Sequence, residues 1–184
     1  LQTAENLTRL GTESAFEVLA RAAKLQAGGM DVINLGIGQP DFKTPDHIVD
    51  AAIKAMRDGH HGYTPANGIA ELREAVAADF EKRNNVVIDP DDVVVVPGGK
   101  VTMFFAIMMF GAPGVEILYP DPGFPIYRSV IDFSGATAVP IPLREENEFS
   151  FNAQEVLDLI TPATRLLILN SPANPTGGVL RKED

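Results

Sequence analysis

The residues that could do chemistry in this chain stand in short loops that follow apolar runs. In Asn170-Ser171-Pro172-Ala173-Asn174-Pro175-Thr176-Gly177-Gly178, two asparagines share a stretch stiffened by proline and glycine. A carboxamide held rigidly at the carboxyl end of a strand is placed where open α/β sheets bind ligands. Pro97-Gly98-Gly99-Lys100 lies between an apolar run and a helical pattern, so the backbone N–H groups that open the helix point at whatever lies beyond. Such a terminus takes an anion, although the same residues also make a plain tight connection. It is not a Walker loop, because Val94 stands where the first glycine belongs and Val101 follows Lys100 in place of Ser or Thr. In Tyr119-Pro120-Asp121-Pro122-Gly123-Phe124-Pro125-Ile126-Tyr127, three prolines surround the aromatics. Phe124 can lie flat on a planar ligand there, or Phe124 and Tyr127 can cap the core. Gly36-Ile37-Gly38 begins like a dinucleotide fingerprint, but Asp41 replaces its third glycine. What remains is a loop whose backbone approaches a substrate or simply turns.

Other conspicuous residues have structural explanations. His60-His61 sits in a turn without a partner at metal-ligand spacing, so no metal site is expected. Met103, Met108 and Met109 share a phenylalanine-rich helix and read as core filler. Asp121 reads as a turn former. No Ser/His/Asp order or nucleophile elbow occurs. With no cysteine, a disulfide framework, a thiol nucleophile and a thiolate metal site are all excluded.

The elements that must position the loops follow from periodicity. Of the 184 residues 45% are hydrophobic, enough for a sizeable core. The net charge of −10, spread along the chain, argues against nucleic acid and anionic membranes as partners. The run Val101 to Ala112 is too short to span a bilayer. A cytoplasmic location is the expectation. An amphipathic helix is predicted from Glu13 to Ala27, stopped by Gly28-Gly29. A second is predicted behind Thr44 as N-cap with Pro45 and Asp46 in its first turn, ending at Gly59. A third follows from Ile69, Leu72, Val76 and Phe80. Strands are then predicted at Val93 to Val96, Glu116 to Tyr119, Thr137 to Ile141 and Arg165 to Asn170. Helices alternate with them at Lys100 to Phe110, at Pro125 to Phe133 and behind Asn152, with Glu155 three residues on. Alternation of this kind predicts an α/β fold: three αβα layers around a mostly parallel sheet.

Taken in order, the glycine loop, Gly62-Tyr63-Thr64-Pro65-Ala66-Asn67-Gly68, Gly98-Gly99-Lys100, the Pro-Gly-Phe-Pro-Ile-Tyr loop and Asn-Ser-Pro-Ala-Asn-Pro-Thr-Gly resemble the class I/II aminotransferases. These are the aspartate aminotransferase-like, fold-type I enzymes that use pyridoxal 5′-phosphate. The resemblance runs from about Val32 to the end of the sequence. It implies that Gly38 meets the substrate α-carboxylate and that Asn174 serves both cofactor and substrate. It further implies that Phe124 stacks on the pyridine ring, that Gly99, Lys100 and Val101 form the phosphate cup, and that Tyr63 reaches the phosphate of a neighbouring subunit, hence a homodimer. The substrates implied are an α-amino acid and a 2-oxo acid. Residues 1–40 would then form a helix and arm belonging to a small domain and substrate loop, and residues 41–184 the first part of the large cofactor-binding domain.

The resemblance also marks departures. None of Lys24, Lys43, Lys54, Lys82, Lys100 and Lys182 lies in the serine-flanked context of the family's Schiff-base lysine. The expectation is therefore an amino-terminal half, inactive by itself and with no catalytic residue of its own. Phe124 stands where tyrosine or tryptophan is more usual, and Val101-Thr102 where a Gln-Ala pair is commoner. A fold-type I lyase or synthase, and a truncated non-catalytic binding protein, are the alternatives.

Overall fold

The computed structural model describes residues 2–11, 14–36 and 38–181. They group into two compact units, Ala22–Pro97 and a unit joining Leu1–Arg21 to Gly98–Asp184. Helix α1, Ser14–Ala27, contributes residues to both. Its expected start at Glu13 lies outside the described residues.

The unit of residues 22–97 is helical. Helix α2 covers Asp46–Arg57 and α3 covers Ala70–Asn84. Thr44 does not cap α2. Pro45 is the N-cap, without a side-chain hydrogen bond, because its extended ψ of 139° delays the helix by one residue. Helix α3 ends on Asn85, which adopts the left-handed conformation that asparagine tolerates better than most residues. Arg73 ties α3 to the 3-10 turn Pro90–Asp92, donating from Nη1 to the Pro90 carbonyl at 2.9 Å and to Asp91 Oδ1 at 2.7 Å. The strand expected at Val93 to Val96 does not form among the described residues. The segment is extended, but its backbone bonds are local or solitary, Val93 N–H to Pro90 O and Val95 N–H to Asn67 O. A strand exists only with a neighbour, and Val94 is left 62% exposed.

The other unit is an αβα sandwich. Strands β1 (Glu116–Asp121), β2 (Thr137–Pro142) and β3 (Thr164–Leu167) form a parallel sheet in the order β2-β1-β3. Period-two alternation along β1 sends its side chains to opposite faces. Ile117 and Tyr119 pack with Ile107 of α4 (Gly99–Phe110) and with Tyr127, Val130 and Ile131 of α5 (Ile126–Ser134). Leu118 packs on the far side with Ile141, Leu143, Ala173 and Val156 of α6 (Ala153–Leu159). Ile117, Leu118 and Ile131 have no exposed surface. The three-layer arrangement expected from the strand and helix alternation is therefore present.

Two local expectations need adjustment. Strand β1 runs through Pro120, two residues past its predicted end. Asp121 O accepts from Leu143 N–H at 2.8 Å, so residue 121 bonds towards β2 and Pro120 turns its missing donor towards β3, whose ladder has already ended. The α4 methionines are not all filler. Met103 and Phe104 pack on the core with Ile107, whereas Met109, on the opposite face, is 75% exposed.

Candidate functional site

Because β1 and β3 are parallel, the loops that leave them emerge at the same edge of the sheet. One loop carries Phe124 and the other Asn174. The Phe124 loop is bent tightly: a Cβ at Gly123 would lie 2.0 Å from the Pro120 carbonyl oxygen, so only glycine fits. Phe124 is half-buried against the first core and meets Tyr127 edge to face, ring centroids 6.1 Å apart at 84°. Tyr127 is a core residue, and Phe124 packs on the same core from its rim.

The Asn174 loop is anchored from below by Ala173, which is 9% exposed and part of the second core. Asn170 Oδ1 accepts the Asn174 N–H at 2.8 Å, and Ala173 N–H and Gly178 O bond at 2.8 Å across the turn. Asn170 therefore braces the backbone, while the Asn174 side chain is exposed and engages none of the described residues. Beneath the loop, a Cβ at Gly178 would come within 2.6 Å of the Phe149 carbonyl oxygen. The segment 148–149, which adopts left-handed φ values of 54° and 58° and is tied by Phe149 N–H to the Arg144 carbonyl at 2.9 Å, thus supports the turn directly.

Helix α4 begins at Gly99, with Gly98 as N-cap, no side-chain cap and no acidic residue in its first turn. An N-terminus without its own carboxylate or hydroxyl cap suits an external anion. Val101 N–H reaches Gly98 O at 3.3 Å, a long bond that marks the tightening of the first turn. Lys100 Nζ lies 5.4 Å from the centroid of Phe124, which brings the helix start and the aromatic loop together. An anion-accepting helix terminus beside an apolar ring suits a phosphorylated planar ligand, and the residues present fit that group.

Gly38 and Tyr63 lie in the other unit. Gly38 is exposed, with nothing within 4 Å of a Cβ built there, so its backbone is open to approach. Tyr63 is fully exposed and lines a cleft of about 720 Å³ with Ala55, His60, Thr64 and Ile69.

Behind the Phe124 loop, burial raises the pKa of the Tyr119 hydroxyl, and the nearby Asp121 raises it further against the opposing Arg128. Burial alone raises that of Tyr127. Both rings stay neutral at physiological pH and serve as supports. Sequence reasoning missed Phe16, whose ring lies 5.7 Å from Lys100 Nζ. Nothing in its helical spacing signals a contact with so distant a stretch of chain. Among the described residues no group of three or more acidic or histidine side chains could hold a metal.

The comparisons with known proteins agree with this architecture. The family model for aminotransferase class I and II matches residues 30–184, and the chain belongs to that family. It is 39% identical to a probable aspartate/prephenate aminotransferase of Aquifex aeolicus over 98% of its own length and 46% of that protein's. It is 42% identical to an aspartate aminotransferase of Pyrococcus abyssi over 87% of its length and 41% of that protein's. Among solved structures, the aspartate aminotransferase of Thermus thermophilus with maleate superposes with a TM-score of 0.93 at 34% identity, covering all of this chain and 48% of that one. The chain spans about half the length of the curated relatives it matches.

Proposed function

We propose that this chain is the cofactor-binding half of a pyridoxal 5′-phosphate-dependent aminotransferase that moves an amino group between an α-amino acid and a 2-oxo acid. The observation that carries this reading is the meeting of the uncapped α4 terminus with Phe124, on a chain of the aminotransferase family. Aspartate, which appears in the names of several relatives, is the first amino donor to test.

In this reading, the backbone N–H groups of Gly99, Lys100 and Val101 hold the phosphate, aided by the helix dipole. Phe124 covers one face of the pyridine ring and excludes water from it. Asn174, its backbone fixed by Asn170, is left with a carboxamide that can donate to the ring oxygen and take part in orienting the substrate carboxylate. Gly38 offers backbone to that carboxylate, and Tyr63 donates its hydroxyl to the phosphate of a second protomer in a homodimer. When bound, pyridoxal phosphate supplies the electron sink for chemistry at the substrate α-carbon. Residues 1–40 serve as arm and substrate loop, residues 41–184 as the first part of the large domain, and the setting is cytoplasmic. Residues 1–184 alone do not transaminate, because none of their lysines occupies the family's cofactor-lysine context.

The test is to purify the complete gene product carrying this sequence, titrate it with pyridoxal phosphate, and follow 2-oxo acid formation from aspartate with 2-oxoglutarate as acceptor. Saturable cofactor uptake with acceptor-dependent turnover is the expected result. Ammonia release without an acceptor would replace this reading with a lyase, and absence of cofactor uptake would leave a non-catalytic binding protein.

A further inference from the structure

Tyr63 is fully exposed, so burial does not set where its ring points. The backbone of the turn that carries it does, and that turn is fixed at its far end. Gly68 N–H closes the turn on Pro65 O at 3.0 Å, and Asn67 O accepts from Val95 N–H at 3.0 Å. Gly68 has a φ of 101°, a conformation open to glycine and strained for other residues. A Cβ there would also lie 2.6 Å from Val95 Cγ2 and 2.9 Å from Val95 Cβ. Valine is branched at Cβ and stiff at χ1, so it cannot swing aside. The two residues fit only because position 68 carries no side chain. On the other side of Gly68, helix α3 begins at Ala70, and Arg73, early in it, holds the Pro90–Asp92 turn through Nη1. The segment Val93 to Val96 is therefore tied to the Tyr63 turn twice, directly through Val95 and indirectly through α3.

We infer that Gly68 and Val95 are positioning residues for Tyr63: the bare backbone of Gly68, seated on the Val95 side chain, sets the turn from which the Tyr63 hydroxyl is presented. This rests on the pyridoxal phosphate reading for what the hydroxyl meets, the phosphate of a second protomer, whereas the seat itself belongs to the ligand-free chain. It gives Val93 to Val96 a task that needs extended backbone and a branched side chain but no sheet. Val95 is 38% exposed, so shortening it removes the seat without emptying a core. Threonine at position 95 keeps the branched shape, and alanine loses it.

The test has two readouts on the complete gene product. In the ligand-free protein, Val95→Ala should move the Tyr63 amide resonance and leave those of Tyr119 and Tyr127 in place, whereas Val95→Thr should leave the Tyr63 signal unmoved. Pyridoxal phosphate affinity should fall about tenfold in Tyr63→Phe, which loses one hydrogen bond to a charged group, and about 3-fold in Val95→Ala, where the hydroxyl is misplaced but present. Val95→Thr should restore the affinity. Added to Tyr63→Phe, Val95→Ala should cause no further loss, the non-additivity of a residue that acts through another. Gly68→Ala should lower the affinity at least as far as Val95→Ala, and if it does not fold, the Val95 variants decide. An unmoved Tyr63 amide in Val95→Ala overturns the inference. So does an unchanged cofactor affinity in that variant, or an equal loss with and without the Tyr63 hydroxyl. If the parent takes up no pyridoxal phosphate, the functional reading fails and the Tyr63 amide shift alone decides the seat.

Discussion

Asn170 and Asn174 are the same residue type four positions apart, yet they perform opposite tasks. Asn170 spends its carboxamide oxygen on the Asn174 N–H, whereas the Asn174 side chain is exposed and uncommitted to the described residues. Replacing each with alanine should separate the two roles. Asn174→Ala should weaken pyridoxal phosphate binding about tenfold, the scale of one or two lost hydrogen bonds, and leave the unfolding free energy within about 0.5 kcal/mol of the parent, as for surface substitutions. Asn170→Ala should lower both, since the loop loses its brace. Cofactor titration together with urea unfolding checks the pair. A stability loss in Asn174→Ala equal to that in Asn170→Ala would remove the distinction. The preference for Asn174 as the ligand-facing residue came from the family resemblance; the brace between the two asparagines needed the folded loop to be seen.

At the scale of elements, local signals were read well where the physics is local. Asn152 caps α6 as its position before Glu155 suggests, accepting from Gln154 N–H at 2.8 Å and Glu155 N–H at 3.3 Å. Glu155 does not complete a capping box. Its carboxylate takes both bonds from Arg144 Nη1, at 3.0 and 2.7 Å. That pair is partly exposed, so the cap is the larger contributor to α6. Asn152→Ala should cost about 1 kcal/mol, and Asn152→Ser should restore most of it, as measured by chemical denaturation. The elements misjudged from sequence depended on partners far along the chain. Val93 to Val96 has every strand propensity but no ladder neighbour among the described residues. Pro120 continues a strand because β3 stops before reaching it. Phe16 lies on a helix read as amphipathic, yet it is 57% exposed and its ring lies beside the Lys100 ammonium.

For the molecule as a whole, the buried tyrosines set an alkaline limit. Tyr119 and Tyr127 have pKa values raised above the ordinary value of 10.0, chiefly by burial. Below about pH 10 both states carry neutral tyrosine, so this contribution to stability is complete. Above it the unfolded chain releases protons that the folded chain retains, and stability falls as pH rises. Tyr127→Phe should flatten the decline between about pH 9 and pH 11 relative to the parent. An unchanged slope in urea unfolding across that range would assign the decline elsewhere. No helix among the described residues is long and apolar enough to cross a membrane, in keeping with the short apolar runs of the sequence. The alternation of strands and helices made the layered architecture legible from the start. The division into two compact units was not, because it depends on which distant segments touch.

Strand β1 is flanked by a strand on each edge and by helices on both faces, and Ile168 N–H bonds to Leu118 O at 2.9 Å in its centre. Amides there can meet solvent only when the unit that carries the sheet opens around them. In deuterated water the Ile117 to Tyr119 amides should be the last to exchange, at the rate of cooperative opening. The exposed loops of Phe124 and Asn174 should exchange far earlier. The ligand site would thus be mounted on the part of the molecule that forgets its hydrogens most slowly.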